Sequence, residues 1–177
     1  MYKKILVPTD GSEAAEKEVE KVGDLLAEDG EIIILSVASE LTPHQFQSKE
    51  DIDKLNQSFL DEAQFNVDKM KAKFDPNLNV TTKVLVGFPA ETIVKVAEEE
   101  DVGLIAISSS GKGRVTKFFI GSVAEKVIHS FKKDVLLVHW FKLRTSEAAI
   151  WSHIAYYVDG LIIFCSRYIV SPAIKKL

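Results

Sequence analysis

Ser108-Ser109-Ser110-Gly111-Lys112-Gly113-Arg114, followed shortly by Gly121-Ser122-Val123, is the stretch around which this chain is organised. An apolar run at residues 102–107 leads in and reads as a buried strand. An amphipathic run at 123–131 leads out and reads as a helix. A loop of small residues therefore joins a strand to a helix, with a second Gly-Ser pair where the helix starts. Glycine lets backbone amides approach a ligand closely, and a helix start presents unpaired N–H groups at the positive end of its dipole. Lys112, Arg114 and Lys117 lie here, and no Asp or Glu occurs between Asp101 and Glu125. That gap in negative charge, within an acidic chain, suits a phosphate.

Upstream, the same alternation of short apolar runs and amphipathic stretches repeats. Residues 3–8 form a short apolar run closed by Pro8, and Thr9-Asp10-Gly11-Ser12 is a turn in which Ser12 can cap the next helix. Ala15, Val19, Val22 and Leu26 share one helical face, and Asp29-Gly30 ends that pattern. Residues 31–37 contain Ile32-Ile33-Ile34-Leu35, a second buried strand. Ile52, Leu55, Phe59, Ala63, Val67, Met70 and Phe74 then recur at helical spacing until Asp75-Pro76-Asn77 stops them. Val80, Thr82, Val84 and Val86 alternate as in a strand. Pro89 suits a helix start, with Ile93, Val94, Val96 and Ala97 inward. Residues 134–139 are a last strand. Strict alternation of strand and helix, with branched apolar strands, predicts an α/β fold: a parallel sheet covered by helices on both faces.

The 177 residues are 46% hydrophobic and 27% charged, which fits an ordinary globular chain able to bury a core without staples. The formal charge of −4 is unevenly spread: residues 140–177 carry +3 and residues 1–139 carry −7. A body that acidic argues against a nucleic-acid-binding face. Cys165 is the single cysteine, so no intrachain disulfide can form. The first apolar run is too short for a signal-peptide core, and the expected location is cytoplasmic.

In open parallel sheets, ligands sit beyond the carboxyl ends of the strands where the strand order reverses. Pro8-Thr9-Asp10, Val37-Ala38-Ser39 and Ser108–Gly111 leave such ends, offering a carboxylate, a backbone edge and a phosphate cradle. Asp10 reads equally as a turn or capping residue. The glycines match neither the dinucleotide fingerprint, which belongs after the first strand of its unit, nor the P-loop spacing.

The pattern resembles the universal stress protein family over about residues 2–139. Lys3-Lys4-Ile5-Leu6-Val7-Pro8-Thr9-Asp10-Gly11-Ser12 is similar to that family's first strand and Asp turn. Gly111, nine residues, then Gly121-Ser122 match the second half of the family's Gly-x2-Gly-x9-Gly-Ser/Thr motif, and 122–127 and 135–138 are similar too. The first motif glycine is replaced by Ser108, whose side chain either crowds a nucleotide or donates its hydroxyl to a phosphate. The resemblance implies a doubly wound five-stranded parallel sheet in the order 3-2-1-4-5. It implies a 1–139 nucleotide-binding domain that takes ATP, with a divalent ion such as Mg as an option. It also implies nucleotide contacts from Pro8, Thr9, Asp10, Val37, Ile107, Ser108, Gly111, Gly121, Ser122 and Val123. Asp10 would face the adenosine part, while Gly111 and Ser122 would hold phosphates. The implied role is a stress-associated regulatory switch with an unidentified protein partner, hydrolysing ATP slowly at most. The rival is a nucleotide-free interaction module. A homodimer through residues 134–139 is implied as well, and an apolar edge strand needs pairing or covering.

His44, His129, His139 and His153 are scattered, with no metal spacing and no nucleophile–base pair. A phospho-accepting receiver domain shares the fold class, but residues 3–8 lack the acidic neighbours its Asp requires. The 140–177 extension lies outside the resemblance. Ile150, Ile154, Tyr157, Leu161, Phe164 and Tyr168 follow a helical stripe, predicting a helix over 147–169 that packs on the body or a partner. His153, Asp159 and Arg167 interrupt it, so it is no membrane span; surface attachment is its sharper alternative.

Overall fold

A computed structural model describes residues 1–12, 15, 22–41, 48–109, 120–139, 157–158 and 161–165. Strand β1 is Tyr2–Pro8, β2 Leu26–Ala38, β3 Val80–Val86, β4 Leu104–Ser108, β5 Asp134–His139, β6 Tyr157–Val158 and β7 Leu161–Cys165. Helix α1 is Lys49–Lys71, α2 Pro89–Glu99 and α3 Ser122–Ser130. One sheet runs β3-β2-β1-β4-β5-β7-β6. Its first five strands are mutually parallel in the order 3-2-1-4-5.

Side-chain parity makes the two layers. Ile5, Val7, Ile32, Ile34, Leu104, Ala106, Leu136 and Val138 point to one face, with Val67 and Met70 of α1 and with Ala15 and Val22. Leu6, Ile33, Leu35, Ile105, Ile107, Val135 and Leu137 point to the other, against Ile93, Val96 and Ala97 of α2 and Ala124 and Val127 of α3. Both parities are apolar because both faces are covered. A one-residue slip in any strand would exchange its two sets between layers.

Helix ends follow from local chemistry. Pro89 opens α2, where its missing N–H costs nothing. Asp101 closes it with φ 53°; its N–H donates to Glu98 O at 3.2 Å and the Val102 N–H to Ala97 O at 2.8 Å. That pair of bonds is a Schellman cap. Along α1, Ile52, Ala63, Val67 and Met70 are buried as the periodicity predicts, whereas Leu55 is 46% exposed. That turn of α1 holds a loop rather than the sheet: the Leu41 N–H donates to Asn56 Oδ1 at 2.8 Å, and Asn56 Nδ2 donates to Leu41 O at 3.0 Å.

Three expectations are corrected. The helical face ending at Asp29-Gly30 stops earlier, because Leu26 is the first residue of β2 after a short 3-10 turn, Gly23–Leu25. The register jumps from Tyr2↔Leu26 to Lys4↔Glu31, so 27–30 form an irregularity rather than a helix end. At Gly30 a Cβ would come 2.7 Å from Leu26 Cδ1, so a side chain there would push on Leu26. The helix expected over 147–169 is contradicted at 157–158 and 161–165, which are strands; the rest of that stretch lies outside the described residues. Nor is β5 the last strand of the sheet, because β7 runs parallel along it. Asp159-Gly160 stands between the paired residues Val158 and Leu161, a hairpin signal that a helical stripe obscures.

Near the amino ends of the strands, Glu100 accepts hydrogen bonds from Lys83 and, at 3.2 Å, from Lys4 Nζ. Asp101 accepts from Lys133 Nζ at 2.6 Å. The Lys83 ammonium, then that of Lys4, holds the Glu100 carboxyl below its ordinary value, and Lys133 does the same for Asp101. A depressed carboxylate stabilises the fold above its unfolded pKa and loses that contribution as pH falls through the folded one. Stability is therefore expected to drop below the ordinary glutamate value of 4.5. Urea midpoints measured from neutral pH downward should fall less steeply for Glu100→Gln; an identical slope would remove Glu100 from the account.

Candidate functional site

An open cavity of about 400 Å³ lies at the carboxyl ends of β1, β2 and β4, facing the starts of α2 and α3. This is where the strand order reverses, between β1 and β4. Strand β1 and its turn contribute Pro8, Thr9 and Asp10; β2 contributes Leu35 and Val37; β4 and its extension contribute Ile107, Ser108 and Ser109. Helix α2 adds Pro89 and Ile93, and the start of α3 adds Gly121, Ser122, Val123 and Ala124.

The β1 turn is tied to its neighbours by its own polar groups. The Thr9 N–H donates to Leu35 O at 2.8 Å, continuing the ladder past Pro8. Thr9 Oγ1 accepts from the Gly11 N–H at 3.2 Å, and Asp10 Oδ1 accepts from the Ser12 N–H at 3.0 Å. Ser12 Oγ accepts from the Ala15 N–H at 3.4 Å, the contact of an N-cap. Gly11 sits at φ +78°, and a Cβ there would meet the side-chain amide of Asn66 of α1. The backbone angle is what demands glycine; the Asn66 amide could swing aside. Asp10 accordingly does both things open to it: it braces the turn and it lines the cavity.

Opposite this turn, Ser108 stands in register with Val138. The Ser109 N–H donates to Val138 O at 2.8 Å, and the Gly121 N–H donates to Ser109 O at 2.7 Å. These two bonds bring the end of β4 to the start of α3. Gly121 is the N-cap of α3, and the first turn closes with the Glu125 N–H donating to Gly121 O at 2.9 Å. The N–H groups of Ser122, Val123 and Ala124 have no carbonyl within the helix to bond and stand at its positive end. Gly111, with Lys112, Gly113, Arg114 and Lys117, lies outside the described residues.

The cavity is two-sided. Leu35, Val37, Pro89, Ile93 and Ile107 make apolar walls, while the α3 start with Ser108, Ser109 and Ser122 makes a polar end. Asp10 is the charged side chain among the described lining residues. Such a surface takes a flat apolar group at one end and an anion at the other.

Nine residues singled out in the sequence line this cavity: Pro8, Thr9, Asp10, Val37, Ile107, Ser108, Gly121, Ser122 and Val123. The structure adds Leu35, Pro89, Ile93, Ser109 and Ala124. Two of these had a signal. Leu35 shares strand parity with Val37, and Ile93 lies one helical turn beyond Pro89. Ser109 carried none beyond its place in a serine run; only the fold shows it to be 2% exposed and bonded to two elements.

A profile of the universal stress protein family matches residues 1–139. Universal stress protein MJ0577 of Methanocaldococcus jannaschii is 36% identical over 156 residues, covering 78% of this chain and 95% of that protein. Its solved structure superimposes with a TM-score of 0.71 at 35% identity, covering 81% of this chain and 99% of the other. A universal stress protein of Methanothermobacter thermautotrophicus is 38% identical over 137 residues, covering 73% of this chain and 90% of its own length. A universal stress protein solved in complex with cAMP superimposes with a TM-score of 0.53 at 25% identity, covering 78% of this chain and 97% of that one. No described helix is long and apolar enough to cross a membrane.

Proposed function

The chain belongs to the universal stress protein family, and on that premise we propose that it binds ATP in this cavity and acts as a regulatory switch. One observation carries the proposal: a single cavity joins apolar walls to the amino end of α3. Adenine is flat and largely apolar at its faces, and suits the space between Val37, Ile93 and Ile107. Phosphates suit the N–H groups and the Ser122 hydroxyl at the start of α3. The relative solved with cAMP supports an adenine nucleotide as the ligand class. Asp10, at the β1 side, is an acceptor for ribose hydroxyls. A divalent ion such as Mg would arrive on the phosphates, which supply its oxygen ligands. A protein partner would read the occupied state. Hydrolysis, where it occurs, is incidental to this role.

Ser108 favours a second reading, a nucleotide-free interaction module, because a residue with a side chain lines the cavity where the family motif has glycine. Calorimetry with ATP separates the two. The native chain is expected to bind one ATP, with micromolar affinity. Ser108→Gly then reports the serine's part: tighter binding means the side chain crowds the nucleotide, and weaker binding means the hydroxyl donates to it. Absence of binding in both proteins would replace the switch with the interaction module.

A further inference from the structure

Strand β3 pairs with β2 in unbroken parallel register from Ile32↔Val80 to Ala38↔Val86, and among the described residues no strand lies on its outer side. The Ile32 N–H donates to Asn79 O and the Gly87 N–H donates to Ala38 O, so the odd-numbered residues turn their backbone groups to β2. Val80, Thr82, Val84 and Val86 therefore turn both N–H and C=O outward. Sheet edges are normally blunted by a bulge, a proline or a free charge. Here the register has no bulge, residues 80–86 have no proline, and their one charge, Lys83, is bonded to Glu100 of its own chain. Exposed apolar residues gather at the carboxyl end: Leu85 is 39%, Val86 45% and Phe88 76% exposed.

We propose that this edge pairs antiparallel with β3 of a second copy of this chain, about a two-fold axis at Val84. Charge selects the register. An axis at Lys83 would set two like charges directly opposite each other, which is destabilising. An axis at Val84 instead sets Lys83 beside Leu85 of the second copy and pairs Thr82 with its Val86. It also carries Phe88, whose backbone is extended at φ −83° and ψ 120°, towards Val80 of the second copy. Charge selects the occupant as well. Helix α1 packs on β2 and β3, and it has Glu50 and Asp51 in its first turn and Lys69 and Lys71 in its last. The two-fold axis lays the α1 helices of the two copies antiparallel, each acidic start towards the other's basic end, a match of opposite signs. None of the β3 residues named here lines the cavity, so the pairing stands apart from the nucleotide reading.

The test uses the full chain. Thr82→Pro removes an outward N–H and no bond to β2. Its urea midpoint should stay near native, and its particle mass by light scattering should be about half that of the native chain at the same concentration. Equal masses, with the midpoint retained, would overturn the proposal. In a second arm, Cys165→Ser removes the sole native thiol and Val84→Cys introduces one at the axis. Mild oxidation is expected to join residue 84 of one chain to residue 84 of another, as mapped by peptide mass. This should run at least about tenfold faster than for Glu99→Cys, an exposed position on α2, because pairing raises the local thiol concentration. Linkage no faster than at that control would overturn the proposal, even where the proline variant fails to fold.

Discussion

Ser122→Asp is expected to weaken ATP binding about 100-fold or more while leaving the protein at least as stable as the native chain. Ser122 is the first residue of α3 and lines the cavity. A carboxylate at that position meets the positive end of the helix dipole, an arrangement worth roughly 0.3–1 kcal/mol in favour of folding. It also occupies the spot proposed for phosphate and repels it. Like charges set against each other cost several kcal/mol, and each 1.4 kcal/mol is about tenfold in affinity. Ser122→Ala removes one donor without adding charge and should cost about tenfold. Calorimetry gives the affinities and thermal melting gives the stability. The opposite movement of the two quantities is the signature, since a general loss of folding would lower both. Unchanged affinity in Ser122→Asp would place the phosphates elsewhere.

Ile105→Ala should cost about 4 kcal/mol of stability, among the larger effects a single substitution can have here. Ile105 has no exposed surface, pairs in register with Leu6 and Val135, and packs in the layer under α2 and α3. Neighbours in a sheet held on both sides cannot close in, so a cavity remains. Val86→Ala, at an edge position 45% exposed, should cost no more than about 0.5 kcal/mol. Urea unfolding tests both, and the slope should stay unchanged. A loss below about 1 kcal/mol at Ile105 would contradict the two-layer core. Ile107 lines the cavity two residues further along the same strand, so the same layer that stabilises the fold also positions the apolar wall of the site.

The alternation of apolar strands with amphipathic helices determined the five-stranded core because its signals are local. The branched runs at Ile32–Leu35 and 102–107, the proline opening α2 and the Ser12 cap each act within a few residues. The turn chemistry at Thr9–Ser12 and the Gly121-Ser122 helix start were legible for the same reason, and they form the polar part of the cavity. The apolar walls were less legible. Leu35, Pro89 and Ile93 come together only when β2 and α2 are laid on one sheet. Ser109 becomes a junction only when Val138 and Gly121 reach it. Residues 161–165 show the limit most clearly. Leu161-Ile162-Ile163-Phe164 fits a helical stripe as well as a strand, because a short apolar run has no period of its own. What decided its state was the outer edge of β5, where unpaired backbone groups accept a strand and cannot accept a helix. Local pattern thus set which segments form the sheet and where its binding end lies. Tertiary hydrogen bonding decided the walls of the site and which strand closes the edge.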